Sequence, residues 1–313
     1  YIFETFDVKA VVYDSEFAEQ VAYLKDAAPL LSYFFEVTDG ALANGFAKDF
    51  DQAIATPAPS PVTPYDGEDA MMFIATGGTT GMPKAVMWRQ RDLWVNTFYG
   101  VWPSDGDIPV EVAMTLERYA ELAAEQPEHS MRTRGPNMVL SPLMHGAGLL
   151  TATVTLLKGG AIITSASRKF DASVVLDEIA ANKAIAVTLV GDAFAGPLAD
   201  EIEARPSGRE DFASVRTVMS SGVAFNSAHK EVMIQNNPNL AIIDALGSSE
   251  AGATGAQVST AAGVQKAPSF KPFNMDEIKV FDEDMAELPP GSEEFGMLAR
   301  SGAIPLGPAC DGL

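Results

Sequence analysis

Short apolar runs alternate with stretches of helical spacing along most of the chain. Val8 to Tyr13 reads as a strand, Asp14-Ser15 as a cap, and the spacing predicts a helix from Glu16 to about Ala27. Asn44 to Ala55 carries Phe46, Phe50 and Ile54 at helical intervals and is expected to be helical throughout. Thr56 to Pro64 contains four prolines, which remove backbone donors and fix φ. That segment reads as a stiff surface connector, with a proline-rich partner ligand as the competing reading.

Beyond the connector, strands are predicted at Ala70–Ala75, Met138–Ser141, Ala161–Thr164, Ala184–Val190, Val215–Met219 and Leu240–Ile243. Helical patterns lie between them at Arg91–Gly100, Val110–Glu125, Ala147–Leu157, from an Asp171 cap to Ala181, at Ala193–Glu203, and after an Asn226 cap. This alternation calls for an α/β fold built on mainly parallel sheets flanked by helices. From Glu277 the turns crowd together, at Asp282-Glu283-Asp284 and Pro289-Pro290-Gly291, and predict antiparallel hairpins or a small barrel piece. Three parts are therefore expected: residues 1–64, an α/β core over 65–275, and an incomplete β-hairpin subdomain over 276–313.

Composition narrows the function classes. With 21 Lys+Arg against 42 Asp+Glu the net charge is −21, which repels phosphate backbones and anionic lipid and argues against a nucleic-acid partner. A small anionic ligand stays open, because a local loop can reverse the field at one site. The single cysteine, Cys310, allows no internal disulfide and no multi-cysteine metal site, and suggests a cytoplasmic protein. The longest apolar run, Gly146 to Leu157, ends at Lys158, well short of the roughly 20 residues a transmembrane helix needs. Tyr1 is not an initiator Met, so the chain is expected to begin inside a longer protein. A homodimer is left open.

The most informative residues follow the Ala70–Ala75 strand: Thr76-Gly77-Gly78-Thr79-Thr80-Gly81-Met82-Pro83-Lys84. Glycines let main-chain N–H groups turn toward an anion, threonines add hydroxyl donors, and Lys84 brings a mobile positive charge suited to phosphate. Pro83-Lys84-Ala85 stands where a P-loop needs Gly-Lys-Ser/Thr, so an ordinary P-loop NTPase is not supported. A flexible Gly/Thr hairpin without a ligand is the competing reading. His129 and His229 lie in polar helical surroundings and are expected at the surface.

This run resembles the phosphate-binding signature of the adenylate-forming enzymes, the group of acyl-CoA synthetases, luciferases and peptide-synthetase adenylation domains. Pro142-Leu143-Met144-His145-Gly146, Ser221-Gly222-Val223-Ala224 and Asp244-Ala245-Leu246-Gly247-Ser248-Ser249-Glu250 resemble three further motifs of that family in the same order. With Met87-Trp88-Arg89-Gln90, the set looks most like actinobacterial fatty-acid and steroid-side-chain CoA ligases.

The resemblance implies the large N-terminal domain of that fold and an ATP-dependent acyl-CoA synthetase, using Mg²⁺ and coenzyme A on a fatty or bulky apolar carboxylic acid. It assigns Thr76, Gly77, Gly78, Thr79, Thr80, Gly81 and Lys84 to the β- and γ-phosphates, and Glu250 to Mg²⁺. Ser249 would bond the α-phosphate, while Gly222, Val223 and Ala224 would face adenine. Asp244, Ala245, Gly247 and Ser248 would complete the nucleotide site. His145 would sit beside the substrate carboxylate; a helix-start histidine bonded to backbone is the alternative. A surface glutamate competes for Glu250, and a plain strand-to-helix connection competes for the Gly222 turn.

Such chemistry suits this kit. A carboxylate is already ionised near neutrality, so adenylation needs charge neutralisation and alignment rather than a strong base. The small residues Gly146, Ala147 and Gly148 would leave room for a bulky acyl group. The family's ribose-binding Thr-Gly-Asp motif and its C-terminal lid domain with a catalytic lysine are not in this sequence. Incomplete turnover is therefore expected of these residues alone. A carrier-protein acceptor and a non-catalytic nucleotide-binding remnant are the alternative functions.

Overall fold

The structure, a computed structural model, describes residues 1–57, 70–77, 84–99, 135–157, 159–165, 167, 169–266, 269–273 and 276–309. The helix expected at Val110–Glu125 and most of the proline-rich connector lie outside the described residues. The chain divides into two units: residues 1–67 with 77–84 and 309–313, and residues 68–76 with 85–308.

In the first unit a short helix α1 (Ile2–Thr5) precedes β1 (Ala10–Asp14), then α2 (Ala18–Ala27), β2 (Tyr33–Val37), β3 (Lys48–Asp49) and α3 (Phe50–Ala55). β2 pairs in parallel with β1 on one side and β3 on the other. Tyr13, Val21, Ala28, Leu31, Phe34 and Ala47 form its core. The strand β2 was not expected, and the helix predicted from Asn44 begins only at Phe50.

A buried carboxylate explains that difference. Glu36 is 0% exposed; its Oε1 accepts from Ala43 N at 2.7 Å, and its Oε2 from Tyr13 Oη at 2.8 Å and Asn44 N at 3.2 Å. Asn44 Nδ2 then donates to Tyr13 Oη at 3.0 Å and Ala18 O at 2.8 Å. With its amides drawn to Glu36, the 43–47 stretch is a loop, and Asp49 starts the helix by accepting from Gln52 N at 2.8 Å. Burial raises the Glu36 pKa, but the donors of Ala43, Tyr13 and Asn44 outweigh it and hold it below the usual glutamate value.

In the second unit β4 (Met71–Thr76) and β5 (Lys84–Arg89) are followed by α4 (Gln90–Tyr99), β6 (Asn137–Val139), α5 (Gly146–Leu157) and β7 (Ile162–Ile163). Then come α6 (Ala172–Asn182), β8 (Ala186–Leu189), α7 (Asp192–Ala204), α8 (Gly208–Asp211), β9 (Thr217–Ser221) and α9 (Ser227–Asn236). The chain continues through β10 (Ala241–Ser248), β11 (Gly252–Ser259) and β12 (Lys271–Pro272). It ends in β13 (Ile278–Phe281), β14 (Glu287–Leu288), β15 (Met297–Arg300) and β16 (Pro308–Ala309).

The main sheet has seven strands in the order β12-β11-β10-β9-β8-β6-β7. From β10 to β7 every pairing is parallel, and β11 and β12 add antiparallel strands at the other edge. The expected parallel sheet is there; β11, half Gly and Ala, carries no apolar alternation to predict it. Leu176, Ile179, Leu189, Leu198, Ile202, Phe212, Met233 and Ile242 are buried against one another in its core. Full burial of each such side chain contributes about 1.5–3 kcal/mol. β13, β14 and β15 form the antiparallel hairpin sheet expected near the end.

Arg205 ties the helices together. It bonds Asp177 of α6, Glu201 of α7, Asp211 of α8 and both oxygens of Ser173. The Asp177 bond leads in raising its pKa, so the guanidinium is a permanent cation.

Candidate active site

The parallel strands deliver their carboxyl ends to one edge of the sheet, where open α/β sheets gather their ligands. Ser220 ends β9 there, and its Oγ accepts from Gly191 N at 3.0 Å. Gly191 has φ +52°, and a Cβ on it would strike Val223 Cγ2 at 2.3 Å and Ala224 O at 2.5 Å. Only glycine lets the Gly222-Val223-Ala224 turn lie so close over the start of α7. Asp192 fixes the far side of this turn, its Oδ1 accepting from Asn226 N and facing His229 Nδ1, both at 2.9 Å. Asn226 caps α9 as expected, accepting from Ala228 N at 2.9 Å.

His145 precedes α5 and meets this turn. Its Cε1 lies 3.8 Å from the position a Gly222 Cβ would take, and Val190 Cγ1 lies at 3.7 Å. Its Nδ1 accepts from Ala147 N at 3.2 Å, so a neutral ring carries its proton on Nε2. The backbone-bonded, helix-start arrangement and proximity to the turn are thus both present. Ser249 Oγ lies 3.7 Å from the Cβ position of Gly146, which brings a third motif into the same cluster.

The turn that carries Ser248, Ser249 and Glu250 is held by its carbonyls. Trp88, 1% exposed, donates from Nε1 to Ser249 O at 3.0 Å. Arg300 NH1 donates to Ala251 O at 2.9 Å and to Ala253 O at 2.7 Å. Asn96 Nδ2 reaches Ala251 O at 3.4 Å and Ala303 O at 3.0 Å. The β10–β11 register shifts between Leu246 and Gly247, and a Cβ on Gly247 would meet Gly252 O at 2.4 Å. This leaves Glu250 exposed on a turn whose backbone is fixed by three neighbouring side chains.

A cavity of about 330 Å³ opens beside the turn. Val223, Ala224, Phe225, Lys230, Asp244 and Ala245 are among its walls. Beside these small and apolar walls it presents the carboxylates of Asp192 and Asp244 and the ammonium groups of Lys230 and Lys266. Thr76 ends β4 and Lys84 opens β5, adjacent strands of one sheet, so the glycine-rich run connects them. Gly78, Thr79, Thr80 and Gly81 fall outside the described residues.

Among the described residues no group of three or more His, Cys, Asp or Glu could hold a metal ion. The sequence reading brought His145, Gly222, Ser249 and Asp244 to this sheet edge, and missed Trp88, Asn96, Arg300, Lys230 and Gln257 as its supports. Trp88 stood in a singled-out motif, but no spacing rule ties it to a residue 161 positions away.

A family profile described as AMP-binding enzyme matches residues 1–304. The medium-chain acyl-CoA ligase Mig of Mycobacterium avium is 31% identical over 313 residues, covering 98% of this chain and 54% of its own length. The 3-oxocholest-4-en-26-oate–CoA ligase of Rhodococcus rhodochrous is 29% identical over 324 residues, with the same coverages of 98% and 54%. The chain therefore spans about half the length of these curated relatives. Among solved structures, an anthranilate CoA ligase in complex with anthranoyl-AMP superposes with a TM-score of 0.71 at 18% identity, over 98% of this chain and 52% of that one. A luciferase-like enzyme of the mealworm Zophobas morio gives 0.72 at 15% identity, over 98% and 65%. These two likenesses establish the fold. No helix among the described residues is long and apolar enough to cross a membrane.

Proposed function

Because the chain belongs to the AMP-binding enzyme family, we propose that it is the adenylating core of an ATP-dependent acyl-CoA synthetase for fatty or bulky apolar carboxylic acids. The observation that carries this reading is the meeting of His145, Gly222 and Ser249 at one sheet edge, next to the cavity walled by Val223, Ala224 and Asp244. The names of the Mycobacterium avium and Rhodococcus relatives, a medium-chain acyl-CoA ligase and a steroid-acid CoA ligase, support the substrate class. The single cysteine is in keeping with a cytoplasmic site of action.

In this reading the substrate carboxylate attacks the α-phosphate of ATP and pyrophosphate departs; the CoA thiol then displaces AMP. No side chain has to remove a proton in the first step. Thr76, Gly77, Gly78, Thr79, Thr80, Gly81 and Lys84 hold the β- and γ-phosphates. Ser249 aligns the α-phosphate, and His145 orients the incoming carboxylate with its Nε2–H. The Val223-Ala224 turn and Ala245 sandwich the base. Mg²⁺, when bound, neutralises polyphosphate charge, and Glu250 is the protein carboxylate that holds it. Holding donors in place before reaction is the main contribution to rate in such chemistry.

Pyrophosphate release should be measured for the whole protein that carries this chain, with ATP and acids of increasing length. Medium-chain and longer acids should support release, with thioester forming only when CoA is added. Release that ignores the acid, or that favours acetate, would overturn the reading.

A further inference from the structure

Gly222, Val223 and Ala224 are all exposed, so burial does not hold their turn in place. The start of α7 does. Asp192 N donates to Ala224 O at 3.3 Å, and Asp192 Oδ1 accepts from Asn226 N at 2.9 Å. One residue therefore grips the turn at two points, the second through a side chain that is itself 40% exposed. An exposed carboxylate has other rotamers and water as rival partners, so its grip is only as firm as whatever fixes its rotation.

His229 supplies that restraint. It stands in the first turn of α9, and its Nδ1 lies 2.9 Å from the same Asp192 Oδ1. An ionised carboxylate only accepts, so Nδ1 carries the proton, and the neutral and the protonated ring make this bond alike. The ring was expected at the surface but is half-buried against α7. A Cβ on the buried Gly196 would stand 3.2 Å from its Cε1 and 3.5 Å from its Nε2, so the bare backbone there leaves room for the imidazole. Gly196, His229, Asp192 and Asn226 thus form one line of contacts from the α7–α9 interface to the turn. Asp192 and Asn226 also line the cavity of about 330 Å³, together with Val223 and Ala224.

We propose that His229 is a positioning residue for nucleotide binding: by fixing the rotation of Asp192 it keeps the Gly222-Val223-Ala224 turn set for a flat base before the ligand arrives. This rests on the reading of that turn as the base site given above. A loop already held in its bound form binds more tightly, because the cost of ordering it is removed. His229 touches neither base nor phosphate and acts through Asp192. Losing its bond weakens what stacks on the turn and spares a ligand held through phosphate contacts alone.

The test is calorimetric binding of ATP and of inorganic tripolyphosphate, without acid substrate, to the whole protein that carries this chain. Wild type should bind ATP more tightly than tripolyphosphate, because the base adds contacts of its own. His229→Phe keeps a ring over Gly196 and removes the donor. It should weaken ATP about five- to tenfold and leave tripolyphosphate within about twofold. His229→Asn removes the ring and keeps a donor, so it should lower the unfolding temperature yet retain most of the ATP affinity. In an Asp192→Ala background, which should itself show the ATP-selective loss, His229→Phe should cost little more. Unchanged ATP binding by His229→Phe, an equal loss for tripolyphosphate, or additive losses in the Asp192 background would overturn the proposal. If His229→Phe does not fold, His229→Asn decides: retained ATP affinity supports the proposal and lost affinity overturns it. All these failures leave the base-site reading standing. Wild type that binds ATP no more tightly than tripolyphosphate would overturn that reading and the proposal with it.

Discussion

The indole Nε1 of Trp88 donates to the main-chain oxygen of Ser249 at 3.0 Å, a bond between residues 161 apart in the sequence. Trp88 lies in β5, the strand that leaves the glycine-rich run, and Ser249 sits in the turn that presents Glu250. The strand that follows the glycine-rich run and the turn that carries Glu250 are thereby tied by one hydrogen bond. Trp88→Phe keeps most of the packing and removes the donor. An unsatisfied buried carbonyl costs about 1–3 kcal/mol. Thermal unfolding should move down by several degrees, and kcat for pyrophosphate release should fall by about tenfold with little change in KM for the acid. Unchanged kcat with lowered stability would reduce Trp88 to a packing residue.

Glu250 separates catalysis from stability. It is exposed, so Glu250→Ala should leave the unfolding free energy within about 0.5 kcal/mol. Pyrophosphate release should nonetheless fall by about a hundredfold or more, the scale seen when a transition-state charge loses its stabiliser. Lys84→Ala should show a comparable fall in release. Wild-type rates in either variant would remove the role given to that residue.

Glu36 predicts an acid-sensitive first unit. Its folded-state pKa lies below the ordinary 4.5, so its contribution to stability is complete above that value and is lost as pH falls through the depressed folded value. Urea unfolding midpoints should drop between neutral pH and pH below that window. Glu36→Gln should lower stability at neutral pH and flatten this part of the profile. A wild-type profile that stays level from neutrality down through that window would contradict the carboxylate's role.

Much of this was legible in the sequence because it depends on local rules. Asp171 accepts from Ser173 N at 3.0 Å and Asn226 from Ala228 N at 2.9 Å, so the two expected caps start α6 and α9. The apolar strand at Ala186–Leu189 could be placed because a buried parallel strand is continuously hydrophobic. What escaped depends on partners distant in sequence. Glu36 turns 43–47 into a loop through amides that a helical pattern would have used internally. Lys230 sits on a helix among polar neighbours, and nothing in its spacing marks it as the counter-ion of Asp244. His145 showed the opposite balance: its motif was clear, while its bond to Ala147 N could be read only from the backbone.

Gly252 offers the sharpest test of how the Glu250 turn is built. Its φ is +67°, a region where a side chain costs roughly 1–2 kcal/mol. A Cβ there would also stand 2.2 Å from Asn96 Oδ1, so Asn96 must move. Asn96 donates to Ala251 O and Ala303 O, and displacing it removes one of the grips on the turn. Gly252→Ala should therefore destabilise by about 2–4 kcal/mol and lower pyrophosphate release as well. Asn96→Ala alone should cost about 1–2 kcal/mol through the lost carbonyl bonds. In combination the two should be less than additive, because the second substitution clears the space that the first invades. The φ strain should survive in the double variant, leaving it less stable than Asn96→Ala alone. Strict additivity in denaturant unfolding would mean that Asn96 and Gly252 act independently, and the turn would have to be held by Trp88 and Arg300 without Asn96.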